Sequence, residues 1–218
     1  MGYASERMQS DASNELEQST VLRVVSFLSP LKPQTLEDAY HPITPRQRVS
    51  WFITSTVGPP HIGGIALLSA CGTAANRPKE YGPQWSGFGK RFGVSMAGSA
   101  LGNAIEASAG LVIQEDPRYF RVPQEHFRTR VGRVVRETFS ARRTDGNFEP
   151  AYARYLGILG GNFISNTWRV HSEANAQCAL LRSLEGLGGR MAADAFNESW
   201  PDVKRYLVRK LDRPSQQD

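Results

Sequence analysis

The sequence predicts an all-α protein: a compact, glycine-rich bundle of six to eight helices behind an irregular N-terminal leader. Three observations predict it. Gly and Pro divide residues 44–212 into apolar segments of helical length, and small residues recur at four-residue spacing inside them. No run carries the β-branched alternation and turn spacing that a sheet needs. The 218 residues, 40% hydrophobic and 22% charged, suit one domain with a real core and exclude a disordered chain, a coiled-coil rod or a disulfide scaffold. A mean hydropathy of −0.41 argues against a conventional multi-span membrane protein.

The elements follow in chain order. Residues 1–43 read as a polar leader with one apolar patch, Val21 to Leu31, and prolines at 30, 33 and 42 that prevent a long helix. The helical domain spans 44–212 and opens at Thr44-Pro45-Arg46-Gln47, a capping box with Pro in the first turn. Its first helix runs to about Val57, where Gly58-Pro59-Pro60 stops it; a second apolar segment covers His61 to Ala75. The longest periodic stretch is Trp85 to Gln114, and Asp116-Pro117 predicts a further short helix or turn. Phe127 to Ala141 is amphipathic, Asp145-Gly146 marks a turn, and Pro150 opens a helix to about Trp168. Ser172 is a cap for a helix reaching Gly186 or Gly188-Gly189, or on to Phe196. Trp200-Pro201-Asp202 opens the last helix, with Val203, Leu207 and Leu211 on one stripe, and residues 213–218 form a polar tail.

Three constellations bear on function. The first is the small residues: Gly89/Gly93/Ala97, Gly98/Gly102 and Gly157/Gly161/Ser165. Each interior Gly costs roughly 1 kcal/mol relative to Ala, which close backbone approach between helices offsets. Phe92 to Gln114 holds a single charge, Glu106, over a length of about 34 Å. It is rich in Gly, Ala, Ser and Asn, and reads as a buried helix in preference to a spanning one.

The second is Glu106 itself, alone in an apolar helix three positions after Asn103. A buried carboxylate finds a cationic partner or keeps its proton. Asn162, Asn166, Arg169 and His171 are the other members of a candidate polar pocket, in which Glu106 with His171 or Arg169 would act as an acid/base pair. The competing reading makes Glu106 a salt-bridged core residue or an exposed one.

The third is charge. Arg118 to Arg154 holds nine arginines against four acids, which accounts for the whole chain's net +5. Arg128, Arg130, Arg133, Arg136, Arg142 and Arg143, beside an apolar face at Phe127, Val131, Val135 and Phe139, fit a helix lying on an anionic membrane surface. A solvated outer face on a core helix is the plain alternative, and nucleic acid is the weakest reading, because no reading motif accompanies the charge. Arg outnumbers Lys 21 to 5, which suits phosphate or carboxylate recognition and equally a GC-rich genome.

Several signatures are missing. Gly89-Lys90 lacks the rest of a phosphate loop, Gly93 to Ala97 lacks the second Gly of a nucleophile elbow, and His41, His61, His126 and His171 are scattered. Neither a metal nor a cofactor is expected. Cys71 and Cys178 sit among small apolar residues as buried free thiols do, with one disulfide between them left open.

The phrases EYGPQWSGFGKRFG (80–93), EDPRYFR (115–121), PAYARY (150–155), SNTWR (165–169) and WPDVKR (200–205) resemble a family of uncharacterised bacterial helical proteins, over Thr44 to Leu211. The resemblance implies no activity or catalytic residue. It does imply an envelope setting, because similar proteins often begin with an export signal. Here the first 20 residues are polar with four acids, and Glu6 spoils a myristoylation pattern after Gly2, which predicts an intracellular place if Met1 is the true start. The expectation is a non-enzymatic, membrane- or envelope-associated protein with an anionic membrane surface as partner, compatible with a homo-oligomer. The alternative is an enzyme or small-ligand binder around Glu106.

Overall fold

The computed structural model describes residues 34–35, 40–122 and 126–211, so the Val21–Leu31 patch and the 213–218 tail lie outside the described residues. The protein is mostly helical. Helix α1 (Pro45–Val57) carries the expected capping box: Gln47 N donates to Thr44 Oγ1 and Thr44 N to the Gln47 side chain. Gly58 ends it, but Pro59 immediately starts α2 (Pro59–Ala74), since Pro suits a first helical turn as well as it ends a preceding one. A 3₁₀ turn, Lys79–Tyr81, leads to α3 (Trp85–Val112), whose 28 residues run about 42 Å. Then come α4 (Phe127–Phe139), α5 (Tyr152–Ser165) and α6 (Ala176–Leu211).

Two expectations about boundaries are corrected. Asn175, not Ser172, caps α6, with its side-chain oxygen accepting from Cys178 N at 2.8 Å. The helix then continues through Pro201 to Leu211, so the separate helix expected at Trp200-Pro201-Asp202 is the second half of α6. Ion pairs on both sides of the proline, from Asp194 to Arg190 and from Glu198 and Asp202 to Arg121 and Arg130, hold the halves in one line.

Short ladders are also present, which the strand pattern did not predict. With β1 at Gln34–Thr35, β2 at Glu115–Asp116, β3 at Phe120–Arg121, β4 at Ser140–Arg143 and β5 at Phe148–Pro150, β2–β4–β5 form an antiparallel sheet and β1 runs parallel to β3. The β4–β5 hairpin turns at Asp145-Gly146 as expected, with Gly146 at φ +87°, a region that suits glycine. Asp116-Pro117, expected to open a short helix or turn, instead ends β2. Asp116 Oδ1 does accept the Arg118 N–H as a cap would, but its backbone pairs with Arg142 and the chain stays extended.

The bundle centres on α3 and α5, which pack antiparallel through the predicted small residues. A Cβ on Gly161 would lie 2.8 Å from the Gly102 Cα, and one on Gly157 would lie 2.6 Å from the Gly102 oxygen. Ser165, fully buried, continues the strip toward Gly98. The Gly89/Gly93 strip has open space around it and takes no part. Close packing of α3 against α5 therefore belongs to the middle and C-terminal half of α3.

Polarity is distributed the opposite way from an ordinary water-soluble core. Among the described residues eight apolar side chains are buried against fifteen polar or charged ones, and half of the eight are alanines. Many large apolar side chains point outward: Val49, Ile53 and Val57 on α1; Leu67 and Leu68 on α2; Leu156, Leu159, Phe163 and Ile164 on α5; Leu180, Leu181 and Leu184 on α6. Cys71, on the same side of α2 as Leu67 and Leu68, is exposed rather than buried, and both cysteines are free.

Candidate functional site

The interior is a charged network that ties the helices together. Glu106, 4% exposed, meets Arg154 of α5 at 3.4 Å and Arg190 of α6 at 4.0 Å. Gly157 makes this approach feasible, since a Cβ there would stand 2.9 Å from the Glu106 Cβ. Arg154 also donates to the Thr138 carbonyl at 2.8 Å and to the Glu137 carbonyl, so one guanidinium fork joins α3, α4 and α5. Arg190 passes the network to Asp194 at 3.6 Å and to the Pro117 carbonyl.

Around this centre each carboxylate has a defined task. Glu115 caps α5, its two oxygens accepting from Tyr152 N and Ala153 N at 2.9 Å each, while Arg48 Nη2 donates to the Glu115 carbonyl at 2.7 Å. Burial still pushes the Glu115 carboxyl up, against the pull of those two N–H groups. Glu137 accepts from Phe120 N at 2.9 Å; burial raises it from 4.5 to about 7 despite that bond, and the charge of Asp194 adds to the rise. Asp194 is itself raised by burial, which outweighs Arg190 and Arg154 beside it. Asp116 holds Arg118 at 2.6 Å and accepts from the Tyr40 hydroxyl, and Glu198 accepts from the Tyr119 hydroxyl at 2.8 Å. Buried ion pairs of this kind carry a large desolvation cost; removing one partner leaves the other charge unpaired, a loss of roughly 3–5 kcal/mol.

The predicted pocket residues do not converge on Glu106. Asn103 Nδ2 donates to Ser55 O and Thr56 Oγ1, stapling α3 to α1. Asn162 donates within its own helix to Ile158 O. Asn166 accepts from Arg182 and donates to Asn175 O. Arg169 bonds Ser165 Oγ at 3.2 Å and Glu173 at 3.1 Å, and His171 is exposed at the same end of the bundle. Glu106 is thus the salt-bridged core residue of the competing reading, and its partners are Arg154 and Arg190 rather than Arg169 or His171. The space around it, lined by Gly110, Glu115, Pro117, Ala141 and Ala153, has no room for a water molecule. A shallow hollow of about 680 Å³ lies elsewhere, between Arg77–Glu80 and Ser172–Cys178. Among the described residues no group of three His, Cys, Asp or Glu is arranged to hold a metal ion.

The arginines predicted to face lipid divide in two. Arg130 is drawn into ion pairs with Glu198 and Asp202 on α6, Arg143 pairs with Glu149, and Arg142 lies 4.3 Å over the Phe148 ring. Arg133 is half-buried. Arg128 and Arg136 remain exposed, Arg136 lying over Phe148 as well. On the same helix Phe127, Val131, Val135 and Phe139, the stripe that periodicity identifies, are 42–78% exposed. Helix α4 therefore buries Val134, Glu137 and Thr138 and shows its apolar stripe to the outside.

The residues that reasoning from sequence missed are Arg48, Glu115, Arg154, Arg190, Asp194 and Glu198. A signal existed for one pair, since Arg190 and Asp194 stand at i, i+4 on one helix. No helix is long and apolar enough to cross a membrane among the described residues. No protein-family model, curated protein or solved structure matches the chain, so its chemistry rests on this geometry alone.

Proposed function

We propose that this is a non-enzymatic, membrane- or envelope-associated helical protein, which sets outward apolar faces into a lipid interface and uses its charged interior to hold the helices together. One observation carries the reading: among the described residues the buried side chains are mostly polar or charged, while many large apolar side chains are exposed. In water the exposed stripes are unfavourable, whereas against lipid they are the contact surface. The stripes lie on α1, α2, α4, α5 and α6, more helices than one twofold contact between two copies would need to cover. The stripe on α5 is bracketed by exposed Tyr152 and Trp168, residue types that favour the water–hydrocarbon boundary. In class the protein is then a helical bundle in which the ladders are clasps rather than a layer.

Apolar contact supplies a part of the binding that salt does not screen. A half-exposed Val or Phe that becomes fully covered contributes about 1 kcal/mol, so the four stripe residues of α4 supply about 4 kcal/mol. The test is flotation of the purified chain with neutral and with anionic vesicles, at low and at high salt. Flotation that persists in part at high salt supports the reading. A chain that stays in the aqueous fraction with both vesicle types, as monomer or oligomer, overturns it.

A further inference from the structure

Helices α4 and α6 meet in a way that puts cations and apolar side chains on one face. They run antiparallel: Arg130 reaches Glu198 at 3.7 Å and also bonds Asp202, while Glu137, two turns further along α4, feels the charge of Asp194, earlier on α6. Phe127 and Val131 lie just before and just after Arg130, and Val203 and Tyr206 follow Asp202 within one turn. All four are exposed, at 78%, 46%, 44% and 66%.

Arg128, Lys204 and Arg209 are exposed on the same two segments, with no hydrogen bond or ion pair among the described residues. Arg205, whose side chain is 68% exposed, bonds Asp202. Asp202 is already engaged by Arg130 and Arg205, and both of these together with Arg121 hold its carboxyl below the usual carboxylate range against the opposing effect of burial. The two paired segments thus expose apolar side chains with cations beside them in sequence.

We infer that this composite face of α4 and the C-terminal half of α6 is the surface that docks on anionic lipid, an assignment that rests on the membrane reading above. It extends the cationic contact from the predicted run of Arg128 to Arg143, most of which is engaged by other side chains of the protein, onto α6. Charge complementarity selects an anionic occupant. The aliphatic Val131 and Val203 select a lipid surface over nucleic acid, whose phosphates gain nothing from apolar side chains between the cations. The Arg130–Asp202 clasp sets the two helices at the spacing that makes one surface of them.

The experiment compares the native chain with R128E/K204E/R209E and with V131S/V203S, each first shown by circular dichroism and melting to be folded. Binding is measured to phosphatidylcholine vesicles and to vesicles in which about one third of the lipid is phosphatidylserine. The charge-reversed chain is expected to lose on the order of a hundredfold in affinity for the anionic vesicles, with neutral vesicles unaffected. The serine variant is expected to bind both vesicle types more weakly. Undiminished anionic binding by the charge-reversed chain overturns the assignment while leaving the membrane reading standing. Binding to single-stranded RNA is measured alongside: if the charge-reversed chain loses RNA binding but keeps vesicle binding, the assignment is overturned in favour of nucleic acid, and a native chain that binds neither vesicle type overturns both.

Discussion

Replacing Gly157 by Ala separates close packing from helix propensity. The added methyl would stand 2.6 Å from the Gly102 carbonyl oxygen, 2.9 Å from the Glu106 Cβ and 3.1 Å from the Glu106 nitrogen. Two of those three are backbone atoms that cannot swing aside, so α3 and α5 must separate by several tenths of an ångström. Overpacking of that kind costs about 1–3 kcal/mol, and the gain in helix propensity returns about 1 kcal/mol at most. With the full propensity gain the net expectation is a destabilisation of up to about 2 kcal/mol, which lowers the melting temperature by up to roughly 8 °C in a domain of this size. Gly93→Ala on α3 is the internal control, since its methyl meets nothing within 4 Å and only the propensity gain remains. It should stabilise by up to about 1 kcal/mol. Denaturant titration of both variants, in the same buffer or detergent, gives two values of opposite sign. Equal stabilisation by both would refute the claim that α3 and α5 touch at their backbones.

Three more expectations follow from the network and the long helix. Arg154→Met removes the fork that joins Glu106 to the carbonyls of Glu137 and Thr138; a loss of about 3–5 kcal/mol is expected in chemical denaturation, and a loss below about 1 kcal/mol would show the pair to be solvated. Glu137 has a carboxyl raised from 4.5 to about 7, so below pH 4.5 both states are protonated and the group is neutral to stability. As pH rises from there toward 7 the unfolded chain ionises first, and the fold loses up to about 3 kcal/mol that stays lost above pH 7. Glu137→Gln should therefore gain progressively on the native chain between pH 4.5 and about 7 in melting experiments, and a difference flat across that window would remove Glu137 as the cause. Pro201→Ala restores an interior hydrogen bond if α6 is continuous, and should stabilise by about 1–3 kcal/mol; a neutral or negative effect would indicate that Pro201 starts a separate helix.

Local chemistry made most element positions legible. Thr44 and Gln47 form the bonds their types and spacing predict, and Asp145-Gly146 turns the hairpin. The Gly102, Gly157 and Gly161 positions make the close approach that their small-residue spacing predicts, whereas Gly89 and Gly93, at the same spacing, meet nothing, so spacing alone does not say which strip is used. What failed depended on distant residues. Pro201 carries a break signal that ion pairs to Arg121 and Arg130 override, and Asp116 has cap chemistry that pairing with Arg142 diverts. Glu106 was legible as a buried carboxylate, but its partners Arg154 and Arg190 lie 48 and 84 positions away with no periodicity linking them. The stripe on α4 was legible as a face; a period of 3.6 says which residues share a side and is silent on whether that side meets protein, water or lipid.

The outward stripes are what the functional reading depends on, and their surroundings are measurable directly. A spin label placed at Val131 on α4, and separately at Tyr206 on α6, reports its exposure to oxygen, which concentrates in hydrocarbon, against a water-soluble nickel complex. With anionic vesicles bound, the account predicts oxygen-dominated relaxation at both positions. Nickel-dominated relaxation at both, unchanged from the vesicle-free protein, would contradict it.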